Sequence, residues 1–302
     1  MAKEVFFASG GVQCAADLYR PADLKRGQRR PALVIGHGFS LVKSTLTEQA
    51  KAFVEAGFVV LAIDYRTFGN SGGRPRGQLF PLSEAEDFRS AISYMQTRPD
   101  VARNRIGIWG ASFAGALVSY VAAVDRRVKA ACAMVPVTDG HTWMRLLRSE
   151  TCFEELLDAV EADRARRHAG EKGARIPVIG PQGSLCGLPY DAQIAQFFEI
   201  VPEAFPTWRD TITLESVEKI LEFSPLSFVH RITPRPYLII TTGGRDIVHP
   251  AWSVAELYER ARQPKRLEFL PFDQTGLYSE PGLTLSNDLA RDFFLQHLGP
   301  IE

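Results

Sequence analysis

Cysteine is scarce and scattered. Cys14, Cys132, Cys152 and Cys186 show no Cys-x-x-Cys spacing and are too few to staple a chain of 302 residues, so a disulfide framework is excluded and a reducing compartment is expected. Net charge is missing as well. The 35 basic and 35 acidic residues cancel, which leaves no field to gather nucleic acid or an anionic membrane. No apolar run reaches the ~18 residues of a membrane span. The opening stretch MAKEVFFASGGVQCAADLYRP has no basic segment followed by a signal-type apolar run, and a cytoplasmic location is the expectation. No internal repeat or low-complexity tract is evident. One local basic run, Arg164, Arg166, Arg167 and His168, lies in a segment rich in Glu and Ala and reads as a solvated helix face.

Against these absences stands a strong alternation. Apolar runs at 32–38 (ALVIGHG), 58–64 (FVVLAID), 105–110 (RIGIWG), 128–135 (VKAACAMV) and 236–244 (PYLIITTGG) are each bounded by Gly, Pro or Asp. Their hydrophobicity is continuous, which predicts strands covered on both faces. Between them Leu46, Ala50, Phe53 and Val54 repeat at helical spacing, as do Ala85, Phe88, Ile92 and Met95 behind the pair Ser83-x-x-Glu86, read as a capping box. Alternating strands and helices predict an α/β fold, a mostly parallel sheet with helices on both sides. The rhythm fails from about residue 137 to 223, where no convincing strand is seen among charged helical segments and the aromatics Phe197, Phe198, Phe205 and Trp208. This stretch is expected to be a helical cap inserted in a core made of 1–136 and 224–302. The last helix is expected over 283–298, with Leu289, Phe293 and Leu298 toward the sheet.

The segment RIGIWGASFAGALVSY carries the chemistry. A buried strand ends at Gly110, Ser112 stands at the turn, and a helix with Ala114, Gly115 and Ala116 begins at once. A serine on a sharp strand-to-helix turn needs neighbours without bulk, so that Oγ can project above the sheet as a nucleophile. The same spacing also suits a helix N-cap serine. Earlier, ALVIGHGF ends a strand at His37, Gly38 and Phe39, in a loop that can aim a backbone N–H at an oxyanion. The N–H groups of Phe39 and Phe113 are therefore the expected oxyanion donors. His37 is read as holding its loop, and no metal-ligand spacing surrounds it.

Together GHGF, AIDYRTFGNSGG, GASFAGA and TTGGRDIV resemble, in order and spacing, the α/β-hydrolase superfamily over nearly the whole chain. The wording HGF…DYRTFGNS…GIWGASFAG and the re-entry FSPLSF are similar to the dienelactone-hydrolase and acetyl-esterase branch that includes fungal polyketide transferases. Thr67 stands where that family more often has Gly. The resemblance implies an eight-stranded sheet and a triad in the order serine, acid, histidine, with Ser112 as nucleophile and Asp246 as acid. Asp139 is the alternative acid, since some relatives carry it there, and Asp64 is read as anchoring its own loop.

The implied histidine should follow the strand KRLEFLP. The loop there reads FDQTGLYSE, and aligning Tyr278 with the family tyrosine puts Gln274 in the histidine position, with Thr275 beside it. Neither side chain accepts a proton at neutral pH. His249 can approach the cleft, but a base three residues from its own acid needs unusual geometry. His37, His141, His168, His230 and His297 are placed elsewhere. Three readings stay open: a histidine replaced by glutamine, a natural Ser-Asp-Gln variant, and a ligand-binding relative without catalysis. The expected activity is hydrolysis of a carboxylic ester, thioester or lactone through Ser112. Acyl transfer by the same serine is the alternative, and a non-catalytic ligand-binding protein the third. No cofactor and no metal are implied, and the expected partner is a small, partly apolar acyl substrate, with neither nucleic acid nor membrane. Whether the chain forms a homodimer is left open.

Overall fold

The computed structural model describes residues 2–299. It opens with a hairpin absent from the sequence expectations. β1 (Lys3–Ser9) and β2 (Val12–Tyr19) pair antiparallel around Gly10 and Gly11, at φ 53° and 80°. A two-residue hairpin turn needs positive φ at both positions, which glycine adopts without steric penalty, so the Gly-Gly pair was the available signal.

The expected alternation follows. β3 (Arg30–Gly36), α1 (Thr47–Glu55), β4 (Val59–Ile63), α2 (Pro81–Thr97), β5 (Val101–Ala111), α3 (Phe113–Val124) and β6 (Val128–Met134) succeed one another. Every residue of β3 and β4 is buried, as uninterrupted hydrophobicity requires. α2 starts at Pro81, whose fixed φ suits the first helical position. Its N-cap is Phe80 with no side-chain bond, so the capping box read at Ser83 and Glu86 does not form. Thr67, in the loop between β4 and α2, sits at φ 68°, a left-handed state that glycine adopts without steric penalty.

Between β6 and the next sheet strand the chain makes α4 (Gly140–Leu146), α5 (Glu150–His168), β7 (Arg175–Pro177), β8 (Ile179–Pro181), β9 (Leu188–Tyr190), α6 (Ala192–Glu199), α7 (Val201–Ala204), β10 (Thr211–Thr213) and α8 (Leu214–Leu221). The expectation of a strandless stretch is corrected here. β7 pairs antiparallel with β10, and β8 parallel with β9, in three-residue pieces too short to show a period. The basic run is exposed at Arg164, Arg166 and His168, as a solvated face was expected to be, and Arg167 alone is partly buried. Arg167 binds Asp163 at 2.9 Å and Glu215 at 2.9 Å, and Arg164 binds Glu218 at 2.6 Å, so these arginines tie α5 to α8.

The sheet resumes with β11 (Tyr237–Thr242), α9 (Ala251–Arg260), β12 (Lys265–Leu270) and α10 (Gly282–Leu298). Strand order is β1-β2-β4-β3-β5-β6-β11-β12, antiparallel across β1–β2–β4 and parallel from β4 onward, as the α/β-hydrolase fold was expected to be. α1 and α10 cover one face, where Phe53 and Phe294 meet edge-on at 5.9 Å. α2, α3 and α9 cover the other. On α10 the stripe is Ala290, Phe293, Phe294 and Leu298, with Leu289 only partly buried. No helix among the described residues is long and apolar enough to cross a membrane.

Candidate active site

Ser112 joins β5 to α3 at φ 56° and ψ −119°, a backbone state that costs a non-glycine residue about 1–3 kcal/mol and persists only where its surroundings hold it. Those surroundings are close. The Ser112 N–H donates to Met134 O at 2.8 Å, and Val137 N–H donates to Ser112 O at 3.2 Å. A Cβ on Gly110 would stand 2.6 Å from Ala114 O, and one on Gly115 would stand 2.9 Å from Pro136 Cα. The bend therefore needs glycine at 110 and 115 and accepts alanine at 114. The serine side chain serves no capping bond, which sets aside the N-cap reading.

A histidine does meet Ser112, and it does not come from the loop after β12. His249 Nε2 lies 2.8 Å from Ser112 Oγ, and His249 Nδ1 lies 3.1 Å from Asp246 Oδ2. The reading that no histidine serves Ser112 is corrected by this geometry. The cause is a turn in which Asp246 folds back on its own backbone. Oδ1 accepts the N–H groups of Val248 at 2.9 Å and His249 at 2.7 Å, a short-range pattern open to Asp, while Oδ2 is left for the ring. Three residues suffice because one carboxylate both makes the turn and meets the imidazole. Burial would raise the Asp246 carboxyl, but His249 beside it and the two backbone donors outweigh that and hold it below its ordinary value.

Gln274 lines the same cavity as Ser112 and His249, yet its carboxamide is engaged elsewhere. Oε1 accepts Ile247 N–H at 3.2 Å, and Nε2 donates to both Asp191 oxygens at 3.0 Å. The residue expected in the histidine position thus bonds away from Ser112. Thr275 also lines the cavity. Asp139 caps α4 by accepting Thr142 N–H at 2.8 Å, and Asp64 accepts Lys43 N–H at 2.7 Å and Asn70 N–H at 2.9 Å. Asp139 therefore serves a local turn, and Asp64 ties its own loop to the segment at Lys43. His141 packs on Phe153 and His297 on Phe293.

The Gly38–Phe39 loop passes directly over the nucleophile. A Cβ on Gly38 would lie 3.5 Å from Ser112 Cβ, and among the described residues the N–H groups of Phe39 and Phe113 find no partner. Their rings pack 6.1 Å apart, and Trp143 of α4 touches both, at 5.5 Å and 5.9 Å. Beside them opens a cavity of about 280 Å³, walled mainly by apolar residues including Ile194, Phe197, Phe198 and Phe205. Among the described residues no group of three or more His, Cys, Asp or Glu side chains could hold a metal ion.

His37, just before that loop, is buried, stacks 4.4 Å from Tyr65 and has Nδ1 3.0 Å from Gly38 O. Burial pushes its imidazole down from 6.5 to about 4. The folded ring thus stays neutral while an unfolded one takes up a proton, so this group's effect on stability is absent above pH 6.5 and turns increasingly unfavourable as pH falls toward 4. At ~1.4 kcal/mol per unit the loss reaches about 3 kcal/mol. Urea melts at pH 7 and pH 5 should show most of it, with the His37 ring resonances nearly unchanged over that range. A ring that titrates near pH 6.5 would contradict this.

The profile of the X-Pro dipeptidyl-peptidase (S15) family matches residues 10–273. The polyketide transferase grgF of Penicillium sp. is 30% identical over 247 residues, covering 80% of each chain, and its crystal structure superposes at a TM-score of 0.82 over 99% of both. The thiohydrolase aneE of Aspergillus aculeatus is 29% identical over 79% of this chain and 76% of its own. The quorum-quenching protein AidA of Acinetobacter baumannii is 35% identical over 60% of this chain and 58% of its own.

Proposed function

The chain belongs to the X-Pro dipeptidyl-peptidase (S15) family, and from that membership we propose that it is a serine hydrolase cleaving a carboxylic ester, thioester or lactone through an acyl-enzyme on Ser112. The observation that carries this reading is the continuous line from Asp246 Oδ2 to His249 to Ser112 Oγ, at 3.1 Å and 2.8 Å. A serine hydroxyl is a poor nucleophile until a base takes its proton. As Oγ bonds to the substrate carbonyl carbon, its proton passes to His249 Nε2, and the carbonyl oxygen becomes an anion facing the Phe39 and Phe113 N–H groups. Collapse expels the alcohol or thiol, which leaves with the proton from Nε2. Water, deprotonated by the same nitrogen, then attacks the acyl-enzyme, releases the acid and returns the hydroxyl to Ser112. Asp246 holds the ring in the tautomer whose Nε2 accepts, and its charge stabilises the imidazolium. The apolar cavity favours an acyl group of medium size, and residues 137–223 serve as the cap that supplies one wall of it.

The names of aneE and grgF support two outcomes for one intermediate. Water gives hydrolysis, and a bound alcohol, amine or thiol gives acyl transfer, so product analysis with and without acceptor separates them. The common step is tested by a fluorophosphonate probe. One adduct per chain should form on Ser112 and be absent from Ser112→Ala, together with turnover of a nitrophenyl ester; an intact mass without adduct ends the proposal.

A further inference from the structure

The loop after β12, which carries the base in the pattern this sequence otherwise resembles, is here bonded on two sides. On one side it grips the acid–base turn. Gly244 N–H donates to Phe272 O at 3.0 Å, Arg245 N–H to Asp273 Oδ1 at 2.9 Å, Gln274 N–H to Arg245 O at 3.0 Å, and Ile247 N–H to Gln274 Oε1 at 3.2 Å. On the other it grips α6. Gln274 Nε2 donates to both oxygens of Asp191, which caps that helix through Gln193 and Ile194 N–H at 3.1 Å, and Tyr278 packs 5.7 Å from Phe197. Ile194, Phe197 and Phe198 of α6 then wall the cavity in front of Ser112.

Gln274 is buried, and both ends of its carboxamide are used. The chemistry of the position is specific: one end must accept from a backbone N–H while the other donates to a carboxylate. Glutamine does both at once, whereas glutamate has no donor to give. We propose that Gln274 is a positioning residue, which makes the aim of His249 at Ser112 depend on α6 being seated over the substrate cavity. An acyl group that presses α6 into place fixes Asp191, Asp191 fixes Gln274, and Gln274 fixes Ile247, two residues before the base. This rests on the serine-hydrolase reading for its kinetics but not for its geometry.

An exchange of donor and acceptor tests it. In Gln274→Glu two carboxylates face each other across the link. We expect kcat to fall at least tenfold at pH 8, with the deficit against wild type shrinking toward pH 5, where the pair shares a proton. In Gln274→Glu/Asp191→Asn the amide donates from the other side, and asparagine still caps α6. We expect kcat to return to within threefold of wild type. The low-field proton resonance of the His249–Asp246 pair reports the same geometry without turnover, and should be displaced in the single variant and recovered in the double.

Should Gln274→Glu fail to fold, Asp191→Ala, a change on the partly exposed rim, should still cost at least fivefold in kcat. Failure of Ser112 to take a fluorophosphonate in wild type would remove the hydrolase reading and leave the resonance to decide the coupling. A kcat within twofold of wild type in both single variants, or a double variant no better than Gln274→Glu, overturns the proposal.

Discussion

Replacing His249 by glutamine should lower kcat/KM for an activated ester by about 10⁴-fold or more, the scale on which removal of one member of a serine–histidine pair acts. Fluorophosphonate labelling of Ser112 should slow in parallel. Because the two residues work as a unit, Ser112→Ala/His249→Gln should be no worse than either single variant within a few fold. Thermal stability should change little, since the backbone N–H of residue 249, and not its ring, closes the turn on Asp246. The competing location for the base is tested in the same assay. Gln274→His in the otherwise unchanged chain should bring no gain, for it removes the links to Ile247 and Asp191 and adds a second imidazole where one already meets Ser112. A loss below tenfold in His249→Gln would remove His249 from the role of base, and a gain of orders of magnitude in Gln274→His would return that role to the loop after β12.

The second large effect divides chemistry from folding at one carboxylate. Asp246→Asn keeps an oxygen able to accept from Val248 and His249 N–H, so the turn survives and the loss of stability should stay within about 1 kcal/mol. The amide presents an N–H donor to Nδ1 in place of the charged acceptor. That favours the tautomer whose Nε2 carries the proton, so the ring points a donor at Ser112 Oγ and cannot act as base. About 10⁴-fold in kcat should go with it. Asp246→Ala should lose the same activity and a further ~1–3 kcal/mol in a urea melt, because two buried N–H groups are left without a partner. The acid side of the stability profile follows from the same group. Its carboxyl is held below its ordinary value in the folded state, so its contribution is complete above that ordinary value and disappears as pH falls through the lowered one. Equal melts for the two variants would show that the backbone bonds to Oδ1 do not carry the turn.

Much of this was legible in the sequence. Continuous apolar runs located β3, β4, β6 and β11, because strands covered on both faces have no polar side to interrupt them. The small residues around Ser112 announced a bend too tight for side chains, and Gly110 against Ala114 is that bend. Asp246, read from GGRDIV, stands within reach of the base. What failed was the assumption that acid and base must arrive from different strands. DIVHP contains an Asp whose side chain can accept the N–H groups two and three residues on, and that local bonding was the signal for His249. The three-residue strands of the inserted segment had no period to read. The ion pairs of Arg164 and Arg167 depend on α8 lying alongside α5, a tertiary fact that composition does not contain.

Asp246 and His249 share one turn, and under the proposed mechanism this alters how the site can break. Where acid and base stand on separate loops, the motion of either one spoils their alignment and leaves a half-formed site. Here Asp246 and His249 are joined by three peptide bonds and held by the same carboxylate, so a local breathing motion would carry both away from Ser112 together. If the proposed mechanism holds, such a centre would pass between working and silent states with little in between.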